Sequence, residues 1–132
     1  MQKLSSILLI DDDSTTNFLN ERLLERLAVA DKLLVAESGE QALDLLNHPG
    51  TVPPPSLILL DVNMPGLSGI EFLEQYQTQR QAQQQPTIVV MLTTTMDSQD
   101  LARINELHID GLVSKPLTEE KIAQLLQLHF RR

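Results

Sequence analysis

The sequence has no cysteine and no tryptophan, and its 132 residues include only three Phe and one Tyr. The missing thiol excludes disulfide staples, CxxC redox chemistry, thiolate nucleophiles and cysteine-based zinc sites. Cations are also scarce: ten Lys and Arg stand against 18 Asp and Glu, for a formal net charge of -8. A surface that acidic repels a phosphate backbone, so no nucleic acid is expected as a partner. No apolar run approaches the roughly 18 residues of a membrane-spanning helix, and no membrane partner is expected. The first apolar run, Ile7-Leu8-Leu9-Ile10, meets Asp11-Asp12-Asp13, which a secretory signal would not place there. His48, His108 and His129 are scattered, with no i,i+4 pair of the kind that clusters zinc ligands. What remains is an ordinary globular composition, 42% hydrophobic and 21% charged. The expectation is one cytoplasmic domain over 1–132, long enough to bury a core without staples.

Short apolar runs alternate with helical patterns along the chain. Ile7–Ile10, Leu33–Ala36, Leu57–Leu60, Ile88–Leu92 and Gly111–Ser114 suit strands buried on both faces. Between them, Ser14 is expected to cap a helix over 15–28 that presents Phe18, Leu19, Leu23 and Leu27 at helical spacing. Ser38 with Gln41, and Ser68 with Glu71, have capping-box spacing and open two further helices. The prolines and glycine of 48–55 make a loop. Seven glutamines between 75 and 85 read as a solvated helix end and loop. A helix is expected around 98–108, and Thr118 caps a last one reaching about 129, with Glu119 and Glu120 at its positive end. Five strands alternating with five helices predict a three-layer α/β fold around a parallel sheet. Right-handed crossovers then bring every strand's C-terminal end to one edge, where such sheets place their functional crevice.

That edge collects the reactive residues. Asp11 and Asp12 follow the first strand, Asp61 ends the third, Thr93 and Thr94 follow the fourth and Lys115 the fifth. Each alone is ordinary turn or capping chemistry; four strand ends carrying such groups together are not. Three crowded carboxylates repel one another, and a hard divalent cation with oxygen ligands, Mg2+, resolves the conflict. A spare carboxylate oxygen beside one metal, a lysine and a threonine hydroxyl suits phosphoryl transfer onto that oxygen. Asp61, the lone acid of its strand end, is assigned as acceptor. Asp11 and Asp12 are assigned to the metal, and Asp13, one residue on, to the start of the helix.

These residues resemble the receiver domain of bacterial two-component response regulators. The resemblance rests on Ile7–Asp13, Leu57–Gly69, Val90–Thr94 and Ser114–Leu117, in the family's order across nearly the whole chain. It implies a flavodoxin-like, doubly wound (βα)5 fold with strand order 2-1-3-4-5. It implies Asp61 phosphorylated from a histidine kinase or a phosphohistidine relay protein. Mg2+ would sit on Asp11, Asp12, Asp61 and the backbone carbonyl of Asn63, while Thr93 and Lys115 would contact the phosphoryl group and the Lys115-Pro116 bond would be cis. Output would be a phosphorylation-dependent interaction with a downstream protein through the 98–129 face, which also offers a homodimer surface. No output domain is expected within the chain.

Two departures from the family stand out. Leu112 occupies the place of the usual aromatic switch residue, and Thr94 that of a smaller one, which predicts a longer-lived phosphoryl group. The rival readings are a receiver that binds partners without phosphorylation and a haloacid-dehalogenase-type phosphatase. The phosphatase needs a second Asp two residues after its nucleophile, where this chain has Asn63. No glycine-rich phosphate loop follows any strand, so a nucleotide-binding domain is disfavoured.

Overall fold

A computed structural model describes residues 3–47, 54–62, 64, 66–81, 87–94, 102 and 109–130, with the backbone alone for 78–81. The helix expected around 98–108, apart from residue 102, the first six residues of the loop expected at 48–55, and Asn63 lie outside these residues. The five apolar runs are the five strands: β1 (Leu4–Ile10), β2 (Ala30–Ala36), β3 (Leu57–Asp61), β4 (Ile88–Thr93) and β5 (Gly111–Ser114). Four helices are described: α1 (Ser14–Leu27), α2 (Gly39–Leu46), α3 (Gly69–Gln81) and α4 (Glu119–Phe130). All strand pairs are parallel, in the order β2-β1-β3-β4-β5.

The apolar runs are continuous because both faces of the sheet are covered. Leu8, Ile10, Ile58, Leu60, Val89 and Met91 face one core with Ile70, Phe72, Leu73 and Tyr76 of α3. Ile7, Leu9, Leu57, Leu59, Val90 and Leu92 face the other with Leu24 of α1 and Ile122, Leu125 and Leu126 of α4. The alternation has the period of two of a pleated strand, and with two apolar cores both phases are apolar. Phe72 and Tyr76 stack with ring centroids 5.7 Å apart, one helical turn from each other.

The helix starts follow the capping residues, with two differences. At α3 the box is reciprocal: Glu71 N donates to Ser68 Oγ at 3.2 Å and Ser68 N to Glu71 Oε1 at 3.1 Å. At α2, Gln41 N donates to Ser38 Oγ at 3.0 Å, but Gln41 Oε1 accepts from Glu37 N rather than from Ser38. At α1 the cap is Asp13, not Ser14, which is the first helical residue. Asp13 accepts from Thr15 N at 3.1 Å and Thr16 Oγ1 at 2.7 Å. These bonds, Thr16 first and then Thr15, hold the Asp13 carboxyl below its usual range.

The buried side of α1 matches the expected stripe in its second half, where Leu23 and Leu27 pack against the second core, and differs in its first. Asn17, Asn20 and Leu24 face inward, whereas Phe18 and Leu19 are 54% and 59% exposed. Leucine spacing placed the C-terminal half of this helix but not its first turns. Its inner stripe begins with two asparagines, the first of which bonds to the Asp11 carbonyl.

Candidate functional site

The strand order reverses direction between β1 and β3, so the crevice opens where these two strands end. Ile10 pairs with Leu60, which sets Asp11 beside Asp61. Ladder bonds continue past the strand ends: Asp11 N donates to Ala36 O at 3.1 Å, Val62 N to Leu92 O at 3.1 Å and Lys115 N to Thr93 O at 2.8 Å. The backbone of the edge is therefore fixed right up to its reactive side chains.

Asp11 and Asp61 are buried, at 3% and 5% exposure, and Asp12 between them and solvent is exposed. Lys115 reaches across β4 from the end of β5. Its Nζ lies 2.9 Å from Asp11 Oδ2 and 3.0 Å from Asp61 Oδ1. Burial lowers the Lys115 pKa, but the hydrogen bonds and charges of Asp11 and Asp61 together outweigh it and leave the ammonium above its ordinary value. Three carboxylates facing one ammonium leave the cluster net negative. Asp11, Asp12 and Asp61 each bring a ligand oxygen within 4.8 Å of the others. An all-oxygen, anionic set of this kind fits a hard divalent cation such as Mg2+.

Thr93 ends β4, half-exposed, in register with Ser114, and Thr94 after it is exposed. The Lys115-Pro116 bond is cis. Asn63, the expected backbone ligand, lies outside the described residues. Leu112, in the place of the family's aromatic switch residue, is 45% exposed on β5.

Two supporting contacts were not read from the sequence. Asn17 Nδ2 donates to the Asp11 carbonyl at 2.7 Å. Lys121 Nζ donates to Ser114 O at 2.8 Å and Pro116 O at 2.9 Å, clasping the turn that carries Lys115. The asparagine six residues after Asp11 and the lysine six after Lys115 were visible, but only the helix geometry shows that each turns back onto its loop.

The response regulator receiver domain family matches residues 7–127 of the chain. The chain is 31% identical to the probable methanogenesis regulatory protein FilR2 of Methanothrix harundinacea, over 92% of this chain and 78% of that protein. It is 36% identical to the transcriptional regulatory protein CpxR of Escherichia coli K12, over 98% of this chain and half the length of CpxR. A crystal structure of a two-component response regulator from Cytophaga hutchinsonii superposes with a TM-score of 0.85 at 32% identity, covering 99% of this chain and all of that one. No described helix is long and apolar enough to cross a membrane. With the sheet order, the acidic edge and this match in agreement, the chain belongs to the response regulator receiver domain family, the phosphorylation-linked signalling domains of two-component systems.

Proposed function

We propose that Asp61 accepts a phosphoryl group from a phosphohistidine, on a histidine kinase or a relay protein, in a Mg2+-dependent reaction. The observation that carries this reading is the buried Asp61 carboxylate at the sheet's switch edge, with Lys115 Nζ 3.0 Å away and two further carboxylates beside it. Asp11, Asp12 and Asp61 are the residues that would hold Mg2+. When bound, the ion would supply positive charge against the oxygens of the incoming group. An Asp61 oxygen forms the new O–P bond as the P–N bond to the donor imidazole breaks, and that electron pair returns to the ring. Lys115, held protonated, brings its charge to the acceptor before reaction, so little reorganisation is needed during transfer. The Thr93 hydroxyl is the proposed donor to a phosphoryl oxygen.

The donor's approach is supported by α1. A groove of about 470 Å³ runs between Leu19 and Leu23 of α1 and the Lys115–Glu119 segment. Exposed Leu19, on the wall of this groove, gives a protein partner an apolar landing on the side where Lys115 lies. Once in place, the phosphoryl group adds about -1.5 to -2 of charge and three acceptor oxygens. Contacts made in only one conformation shift the balance between two, and the proposed readout is altered binding of a downstream protein at the 98–129 face. Leu112 and Leu128, exposed on β5 and α4, supply apolar contact there.

The test is intact-mass spectrometry after incubation with acetyl phosphate, with and without Mg2+, on the wild type and Asp61→Asn. One added phosphoryl group that requires both Mg2+ and Asp61 is expected. A wild-type chain that neither gains the group nor binds fluoroberyllate would leave the phosphorylation-independent binding module. Steady release of inorganic phosphate from a small phosphate ester would favour the phosphatase instead.

A further inference from the structure

Behind the acidic turn, a buried amide is satisfied at one end only. Asn17 sits in the first turn of α1 and is 3% exposed. Its Nδ2 donates to the Asp11 carbonyl at 2.7 Å, while its Oδ1 is buried with no hydrogen-bond partner among the described residues. Reversing the amide would set two acceptors against each other, so the Asp11 carbonyl fixes which way the side chain faces. An apolar side chain of similar size would fill this space with no orphaned oxygen of its own, but would take the donor away from the Asp11 carbonyl. What the asparagine has that such a side chain lacks is its bond to Asp11.

That bond acts on the turn that presents the acids. Asp11 is held at its carbonyl by Asn17, and at its carboxylate by Lys115 Nζ and by Asp13 N, the last at 2.9 Å. Asn17 N in turn donates to Asp13 O at 3.0 Å, so one residue of α1 grips both ends of the three-residue turn. Asp12, exposed in the middle, points where the turn directs it.

We infer that Asn17 is a positioning residue for divalent-cation binding, acting through the Asp11 carbonyl to hold the Asp11 and Asp12 carboxylates toward Asp61. The inference rests on the reading of this cluster as a Mg2+ site. Carbonyls and amides that orient metal ligands from behind typically change affinity by about 10–100-fold when removed. Asn17 does not touch Asp61 or Lys115 in any described hydrogen bond, so its loss should weaken cation binding without altering transfer once the cation is bound.

The experiment compares the full wild-type chain with Asn17→Leu, which keeps bulk but loses the donor. Asn17→Ser, whose hydroxyl one bond from Cβ falls short of the carbonyl, serves if the leucine variant does not fold. Mg2+ is titrated while the amide NMR shifts of residues 11–13 are followed, and labelling by acetyl phosphate is measured across the same Mg2+ range. The expected result is a Mg2+ dissociation constant raised about tenfold. Half-maximal labelling should move by the same factor, with the labelling rate at saturating Mg2+ within twofold of wild type. Wild-type Mg2+ affinity in a folded variant would overturn the inference, as would a slowed rate at saturating Mg2+ with affinity unchanged. A wild-type chain that binds no Mg2+ would overturn both this inference and the metal site. One that binds Mg2+ but takes up no phosphoryl group would refute only the acceptor role, and the shift titration would still decide Asn17.

Discussion

Lys115 stands between two buried carboxylates, and its charge is the only one from a basic side chain bonded to either in the described ion pairs. Removing it leaves Asp11 and Asp61 facing each other uncompensated. Lys115→Met, studied in EDTA, should therefore lose about 1–3 kcal/mol, less than the roughly 3–5 kcal/mol of a fully buried broken pair, because a fifth of the lysine side chain is exposed. Urea denaturation measures the loss, and Mg2+ should restore more stability to the variant than to the wild type. The pH dependence follows from the ammonium being held above its ordinary 10.5. A raised pKa in the folded state gives stabilisation that is complete below the unfolded value and disappears as pH rises through the folded one. The gap between wild type and Lys115→Met should be constant from about pH 7 to 10, where the carboxylates are ionised and the lysine protonated, and narrow above about 10.5. A gap that widens there would contradict the pairing.

At the scale of elements, the start of α3 is tied to the strand that ends in Asp61. Gly69 N donates to Val62 O at 3.1 Å, and a Cβ at Gly69 would overlap the Asp61 carbonyl. Alanine within a helix ordinarily gains roughly 0.5–1 kcal/mol over glycine. Here the sign reverses: Gly69→Ala should cost about 1–3 kcal/mol, since the strand end or the helix must move to make room. Urea unfolding gives the sign directly, and a stabilised variant would refute the close approach. The same contact means that the reciprocal cap between Ser68 and Glu71 does more than begin a helix. It fixes the helix start against the backbone of Asp61. At α1, Asp13 and Asn17 do the corresponding job for the acids after β1.

Across the whole molecule, protection should follow the position of each strand in the sheet. All five residues of β3 are buried, and four of the six of β4. β2 and β5 lie at the two edges, with exposed residues on each. Native-state hydrogen exchange should find the amides of β1, β3 and β4 opening only with global unfolding, and those of β2 and β5 at lower free energy. Uniform protection across the sheet would contradict this. One of these two edges, β5, is also the strand whose end carries Lys115. It is joined to the rest through β4 and to α4 by the Lys121 clasp. An edge strand coupled by one lysine to Asp61 is suited to carry a change outward from the site.

Much of this was legible in the residue order. Ile7–Ile10, Leu57–Leu60 and Ile88–Leu92 read as strands because a sheet covered on both faces needs apolar residues in both phases of the pleat. Asp11, Asp12, Asp61 and Lys115 could be placed on one edge because parallel strands joined by right-handed crossovers leave no other arrangement of their ends. Local capping chemistry located α2 and α3, since Ser38 and Ser68 act on amides two or three residues away. The strand order came from the likeness to receiver domains and not from patterning, because every interior strand looks alike in hydrophobicity. Only the tertiary structure decided which face of the first turns of α1 lies inward. Phe18 and Leu19 had the hydrophobicity, yet Asn17 and Asn20 took the buried places, Asn17 bonded to the acidic turn. It also decided that Lys115 spans both carboxylates, and that Gly69 lies against Asp61. Sequence determines what each segment can bury and cap on its own, through contacts a few residues apart. The pairing of Lys115 with Asp11, 104 residues away, depends on how the packed layers bring backbones together, and even Asn17 and Asp11, six apart, meet only because the helix turns back onto its loop.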